Sequence, residues 1–404
     1  MPWGNIWSPA VASKFLLVSA SLVIYTWLLY PLLLRLLLLV RPKAQAATRV
    51  EGFPTVSIIL PVHNEQESIA EKLQNCLELD YPLDRLEIIV VSDASTDRTA
   101  EIVEQFASHN PRIRWLESEG RAGKSGVQNL AAAQANGEVL LFSDAGTGMP
   151  PGTLAIMTRH LADPGVGLIT ATVFFGNPQD AVEKGQGFYW RYELFLRHAE
   201  SDLGILATAS GQALLVRREL FRPLPARYGD DCIMPLDIRL QGYRVVQDRD
   251  AIVYDTMPHS IEGELRARIR MTARNWTGTL SRPALLNPFR YPLTAWSLVS
   301  HKLLRWLTPF FLGVVFLSSA SLAARGGSPA LFWLQVAFYT SALIGWGLAR
   351  THRPAGIFGY PFSFCLANVG FLLGMVKAFR NQKIVFYGPA PSDLCDQNTK
   401  TYAR

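Results

Sequence analysis

The chain is short of cysteine and short of charge. Its four cysteines (Cys76, Cys232, Cys365 and Cys395) stand far apart in 404 residues with no paired spacing. That argues against a disulfide framework or a zinc site and suits a reducing compartment. Charged residues make up 18% of the chain against 49% hydrophobic. There is no internal repeat and no low-complexity tract. Gly123-Lys124-Ser125 has the ending of a phosphate-binding loop, but the position five residues before Gly123 is Ser118, where that fingerprint needs glycine. The formal net charge of +6 comes from Lys and Arg gathered beside apolar segments. It reads as membrane orientation, not as a nucleic-acid footprint.

What is present falls into apolar ends and an ordinary soluble middle. Phe15 to Val40 is almost continuously apolar and exceeds the roughly 20 residues a span requires. Arg41, Lys43 and Arg49 follow it, against Lys14 before, so the region downstream is expected in the cytosol. From Thr55 the pattern alternates short apolar runs with helical spacing, including Val56–Val62, Leu86–Val91, Val139–Phe142 and Gly167–Val173. Such alternation predicts a Rossmann-like α/β region, a mostly parallel sheet covered on both faces. Ile261 to Leu280 reads as a basic helix, and Tyr291 to Trp306 as a helix lying at a membrane interface. Three further spans are expected near 307–323, 330–348 and 358–378. Alternation from a cytosolic domain would leave the tail outside, yet Lys377, Arg380 and Lys383 favour the inside. A re-entrant or interfacial last segment would reconcile the two. The expected organisation is an anchor and linker over 1–50, a catalytic domain over 51–285, membrane helices over 286–380 and a tail over 381–404.

Five stretches carry candidate chemistry. The strand at Val139 stops at Ser143-Asp144-Ala145-Gly146, and ligands of open α/β sheets lie beyond the carboxyl ends of strands. Asp144 is therefore a ligand-facing carboxylate or the opening of a turn. Asn64 and Glu65 end the first strand, where Asn64 with Glu67 also makes a capping box. In Asp93-Ala94-Ser95-Thr96-Asp97, either Thr96 or Asp97 serves as a helix cap. That leaves Asp93 free to accept hydrogen bonds from a ribose or base. Gly120 to Gly126 is a basic, glycine-rich helix start able to approach a diphosphate through its amides. Asp230-Asp231 opens an apolar segment; one acid would satisfy a helix N-terminus, and the second is left to face a cleft, as a general base would.

In that order, Asn-Glu, Asp-x-Ser-x-Asp, Gly-Lys-Ser-Gly, strand-Asp and Asp-Asp resemble glycosyltransferase family 2, the inverting enzymes of the GT-A fold. The resemblance runs from about Thr55 to Trp276, continuing through Gly211, Leu215-Val216-Arg217-Arg218 and Gly242 to Val246. With apolar flanks it is closest to the membrane-bound branch, such as cellulose- and hyaluronan-synthase-like enzymes. The resemblance implies that Glu65, Asp93 and Lys124 line a nucleotide-sugar site and that Asp144 binds the nucleotide and, through its diphosphate, Mg²⁺ or Mn²⁺. It implies that Asp231 is the catalytic base. Asp230, Arg274 and Trp276 border the acceptor or the diphosphate, with an interfacial anchor as the other reading of Trp276. Two departures stand out. Gly146 replaces the second Asp of the family's Asp-x-Asp, and Asn275 separates the Arg and Trp of the processive branch's Gln-x-x-Arg-Trp.

The expected function is a membrane-bound hexosyltransferase, multi-pass in the cell membrane with a cytosolic catalytic domain. It would move a sugar from a nucleotide-diphosphate donor, UDP-linked by resemblance, to a glycan or lipid-linked hydroxyl. The alternatives are transfer of one sugar to a lipid carrier, and an inactive membrane assembly subunit.

Overall fold

The computed structural model describes residues 8–40, 52–175, 188–256, 260–351, 353 and 355–380. Seven strands form one sheet in the order β3-β2-β1-β4-β6-β5-β7: β1 (Val56–Val62), β2 (Leu86–Ser92), β3 (Ile113–Glu117), β4 (Val139–Ser143), β5 (Val166–Phe175), β6 (Ala213–Arg217) and β7 (Arg244–Asp255). Only β6 runs against its neighbours. The mixed, mostly parallel α/β sheet expected from the alternation is present.

Helices occur in chain order as α1 (Pro9–Ile24), α2 (Tyr30–Val40), α3 (Ile69–Leu77), α4 (Thr99–His109), α5 (Gly123–Gln134), α6 (Thr153–Arg159), α7 (Phe188–Asp202) and α8 (Asp230–Leu240). They continue as α9 (Ile261–Leu280), α10 (Pro292–Ser297), α11 (Leu304–Ala324), α12 (Ala330–Arg350) and α13 (Gly359–Phe379). The strands are apolar on both faces because both faces are covered. Ile58, Leu60 and Val62 of β1 pack with Ile69 and Leu73 of α3 on one side, and Ile59 packs with Val127 and Ala131 of α5 on the other. Strand order reverses beside β1, which lies between β2 and β4. The carboxyl ends of β1, β2, β4, β5 and β7 therefore open on one edge, where an open α/β sheet places its ligand crevice.

Among the described residues four helices are long and apolar enough to cross a membrane: Pro9–Val40, Pro292–Ala324, Ala330–Arg350 and Gly356–Phe379. The stretch read as a separate interfacial helix is instead continuous with α11. A π-helical turn at Leu298–Leu303 joins α10 to α11. That turn aims His301 and Lys302, with Arg305 a turn on, at buried carboxylates of α7. The polar side chains of this turn have buried protein partners.

α13 lies beside α9 and runs in the same direction. A Cβ at Gly370 would sit 2.8 Å from that of Arg268, and one at Gly374 2.6 Å from that of Thr272. The rings of Trp276 and Phe379 meet one turn further on, 6.0 Å apart. Two glycines four residues apart thus let the helices touch backbone to backbone.

Candidate active site

Side chains from β1, β2, β4, β7 and the starts of α5 and α8 converge at the open edge. The loop after β1 and the loop after β2 are tied together by Asn64, which adopts φ 56°, a conformation Asn tolerates. Its Oδ1 accepts from the Thr96 amide at 2.8 Å. The capping box expected of Asn64 and Glu67 does not form. The cap position of α3 is Ser68, whose side chain makes no cap bond, because Asn64 is spent on the neighbouring loop. Asp97 does serve the start of α4, its Oδ1 accepting from the Thr99 amide at 3.0 Å. Glu65 accepts from Ser68 Oγ at 2.6 Å. Burial raises its carboxyl, Ser68 opposes this, and the charges of Asp144 and Asp97 add to the rise.

Asp93 is buried, and its Oδ1 accepts from the amides of Ala122 (2.6 Å) and Gly123 (2.9 Å). Arg121 Nε is 3.2 Å from Oδ2. The amides offered by sequence to a diphosphate are thus taken by Asp93, a carboxylate at the positive end of α5. Lys124 in the first turn of that helix joins three elements. Its Nζ is 2.7 Å from Asp144 Oδ1, at the end of β4, and 3.0 Å from Asp230 Oδ2, at the start of α8. One turn on, Gln128 Nε2 donates to the same Asp230 oxygen at 2.8 Å.

The two adjacent acids end in different environments. Asp230 is buried among cations and donors. Burial would raise its carboxyl, but Lys124 and Gln128 outweigh it and hold it low. Asp231 is partly exposed, and burial followed by the charge of Asp230 pushes its carboxyl up. The pair is therefore split into a fixed anion and a more basic carboxylate, the arrangement that separates structural and proton-accepting roles. Two glycines leave it room. A Cβ at Gly229 would sit 2.3 Å from Asp231 Oδ1, and one at Gly211 3.5 Å from Asp231 Cβ. Arg274 donates from Nη2 to the Tyr228 carbonyl at 2.6 Å, and its charge acts on both acids. Trp276 is not brought to this cluster. It packs edge-on against Trp306 and Phe379 beside Ala367, Phe371 and Met375 of α13, in keeping with the anchor reading.

Two charged residues at this edge were not singled out from sequence. Asp255 ends β7, and its Oδ2 accepts from Gln212 Nε2 at 2.9 Å. Burial and the Asp144 charge raise its carboxyl, against the bonds from Gln212 and Thr256. A strand reading carried past Val246 to its end would have found it, since it occupies on β7 the place Asp144 follows on β4. Lys72 of α3 is buried, donating to Ser143 Oγ (2.9 Å) and the Thr147 carbonyl (2.5 Å). It fell within a helix read only for its apolar face.

Among the described residues no three Asp, Glu, His or Cys side chains converge on one point. Asp144 and Asp255 nevertheless offer carboxylate oxygens, and Thr147 Oγ1, in the loop between Asp144 and the Gly148–Tyr254 bridge, is buried without a hydrogen-bond partner. An all-oxygen set of this kind fits a hard divalent cation that keeps waters or ligand oxygens in its remaining positions.

Comparison with known proteins agrees with this geometry. Residues 57–224 match the family model for glycosyl transferase family 2. The chain is 28% identical to an N-acetylglucosaminyltransferase of Rhizobium meliloti (strain 1021), over 67% of this chain and 69% of that one. It is 27% identical to a poly-beta-1,6-N-acetyl-D-glucosamine synthase of Staphylococcus epidermidis, over 58% and 56%. The chain therefore spans little more than half of the second relative. Its fold superposes with a TM-score of 0.69 on a mannosyltransferase from Pyrobaculum calidifontis in complex with GDP-Man and Mn²⁺, at 26% identity, covering 91% of this chain and 99% of that one. Residues 57–224 form a glycosyl transferase family 2 domain, and the fold around it is that of the GT-A enzymes.

Proposed function

We propose that the enzyme transfers a hexosyl group from a nucleotide-diphosphate sugar to an acceptor hydroxyl with inversion, in polysaccharide or glycolipid synthesis. The observation that carries this reading is the junction at Lys124, which joins Asp144 to the Asp230-Asp231 pair at the ligand edge of the sheet. Asp231 takes the proton of the acceptor hydroxyl as its oxygen bonds to the anomeric carbon and the bond from that carbon to the diphosphate oxygen breaks. Asp230, held by Lys124 and Gln128, fixes the start of α8 so that Asp231 faces the acceptor. Glu65 and Asp93 border the nucleotide, and Arg274 limits the acceptor side. Asp144, with Asp255 from β7, is suited to hold Mg²⁺ or Mn²⁺. When bound, such an ion supplies charge neutralisation for the departing diphosphate. The relatives' names and the mannosyltransferase's ligands support a nucleotide-sugar donor, and UDP-linked sugars are the first to try.

The catalytic region, residues 51–285, is proposed to face the cytosol, held to the cell membrane by the residues before it and by those of 286–380. The positive charge of Arg41, Lys43 and Arg49 after the first apolar helix supports this side. A screen of UDP-, GDP- and other nucleotide sugars with detergent-solubilised protein, with Mn²⁺ and a hydroxyl acceptor, tests the reading. Release of nucleoside diphosphate with one donor class is expected. No release with any donor would return the chain to the role of an inactive assembly subunit.

A further inference from the structure

Lys72 is a buried ammonium for which packing alone gives no reason. It is 2% exposed, and both of its hydrogen bonds go to neutral oxygens, Ser143 Oγ and the Thr147 carbonyl. A methionine of similar length would fill the space without the cost of desolvating a charge. What lies near is a pair of carboxylates. Burial lowers the Lys72 ammonium's pKa, and Cys76, Asp144 and Asp255 each act to raise it again.

The two bonds bracket Asp144, falling one residue before it and three after. The stretch between closes as a turn, the Thr147 amide donating to the Asp144 carbonyl at 3.2 Å. One turn along the same face of α3, Asn75 grips the next part of the loop, donating to the Met149 carbonyl (2.8 Å) and accepting from the Met149 amide (2.9 Å). From the other side, Gly148 exchanges two hydrogen bonds with Tyr254, each 2.9 Å, which places Asp255 against the same loop. Ser143 Oγ in turn donates to the Gln212 carbonyl, and the Gln212 side chain holds Asp255. The loop that carries Asp144 is thus clamped from α3 and from β7. Lys72 is the only cation among the groups just described.

We propose that Lys72 is a positioning residue for donor binding. It pins the loop on both sides of Asp144 and puts a buried positive charge beside that loop. This rests on the reading of Asp144 as part of the donor site. Its loss should act on donor affinity, because the geometry of Asp144 and the local charge balance change together. A purely structural role predicts something else: fewer folded molecules, hence a lower apparent kcat at unchanged donor KM.

The experiment uses the full chain in detergent with the nucleotide sugar that supports turnover and saturating Mn²⁺. Parent, Lys72→Met, Lys72→Arg and Ser143→Ala are compared for kcat, donor KM and thermal unfolding. Lys72→Met should raise donor KM by about tenfold or more, the range seen when a group supporting a ligand-binding side chain is lost, and by more than it lowers kcat. Lys72→Arg keeps the charge and should recover most of the affinity. Ser143→Ala removes one of the two bonds and should raise KM in the same direction by less. If Lys72→Met does not fold, Lys72→Arg and Ser143→Ala decide. A loss confined to kcat that follows the fall in unfolding temperature, or Ser143→Ala and Lys72→Arg with parental KM beside a defective Lys72→Met kcat, overturns the proposal. Absence of turnover in the parent itself would overturn instead the reading of the site.

Discussion

Glu193 on α7 lies at the join between the catalytic region and the apolar helices, and its removal should be costly. It is 4% exposed. Its Oε1 is 2.9 Å from Arg197 Nε and 2.9 Å from Lys302 Nζ, while its Oε2 takes His301 Nε2 at 3.1 Å and also Arg305. Burial alone would raise the carboxyl. Lys302, His301 and Arg305 outweigh it and hold it well below the usual range. Glu193→Ala takes the shared carboxylate from several buried cations at once, and breaking one buried pair typically costs about 3–5 kcal/mol. Denaturation in detergent micelles, followed by tryptophan fluorescence, should show a loss of that size. Glu101→Ala is the control, since Glu101 pairs with Arg98 where both side chains are more than two-thirds exposed; such pairs contribute about 0–1 kcal/mol. A depressed carboxyl contributes stability above its unfolded pKa of about 4.3, and that contribution is lost as pH falls through the lower folded value. The parent should therefore lose stability on acidification below about pH 4 more steeply than Glu193→Ala. A Glu193→Ala protein within about 1 kcal/mol of the parent would refute the reasoning.

Asp231→Asn should lower kcat by about 10²–10⁴-fold, the usual worth of a general base, with donor binding retained. Asp230→Asn should instead show its main effect in the position of α8 and Lys124, and parental turnover by Asp231→Asn would remove the base from Asp231. A Cβ at Gly146 meets nothing within 4 Å, so Gly146→Asp should fold and lower the Mn²⁺ concentration for half-maximal activity; an unchanged requirement would place the cation elsewhere. Gly374→Val, whose Cβ would collide with Thr272 and the Ile269 carbonyl, should separate α13 from α9 and lower the unfolding midpoint, whereas Gly313→Val, in open space, should not. A cysteine introduced at Arg380 should resist an impermeant thiol reagent in intact cells and react after lysis.

Fold class was readable because buried parallel strands announce themselves as apolar runs. The candidate site was legible where acids terminate such runs, as at Asp93 and Asp144, or stand in excess of helix needs, as at Asp230-Asp231, side chains that the fold brings to one edge. Pairing across the sheet was not readable. Asn64 looked like a cap because sequence shows only its own following helix, while its partner is the Thr96 amide on a neighbouring loop. Asp255 was missed because β7 bends past a register shift between Thr170 and Thr172 of its partner, and its polar middle, Gln247 to Asp250, hides the strand's second half. Lys72 and Glu193 lie inside helices whose local spacing says nothing about which distant charge they meet.

The contact between α9 and α13 bears on the conflict between counting spans and counting charges at the C-terminus. α9 carries Arg266, Arg268, Arg270 and Arg274 within about three turns, and a helix so charged is not expected within the hydrocarbon of a bilayer. α13 is apolar and long enough to cross, yet it contacts α9 over successive turns, Gly370 against Arg268, Gly374 against Thr272 and Phe379 against Trp276. A helix that keeps step with α9 through its last turns is expected to end on the side where α9 lies, whichever side that is. On that expectation Lys377 and Arg380 would lie on the side of the catalytic region, in line with the tendency of positive charge to gather on one side. The same contact explains why two glycines occupy that face of α13. Larger residues would push α9 away from α13 and shift Arg274 relative to the Asp230-Asp231 pair. Labelling at position 380 therefore tests the proposed arrangement, because reagent reaching that position from outside would require either that α13 leave α9 or that the catalytic region face outward.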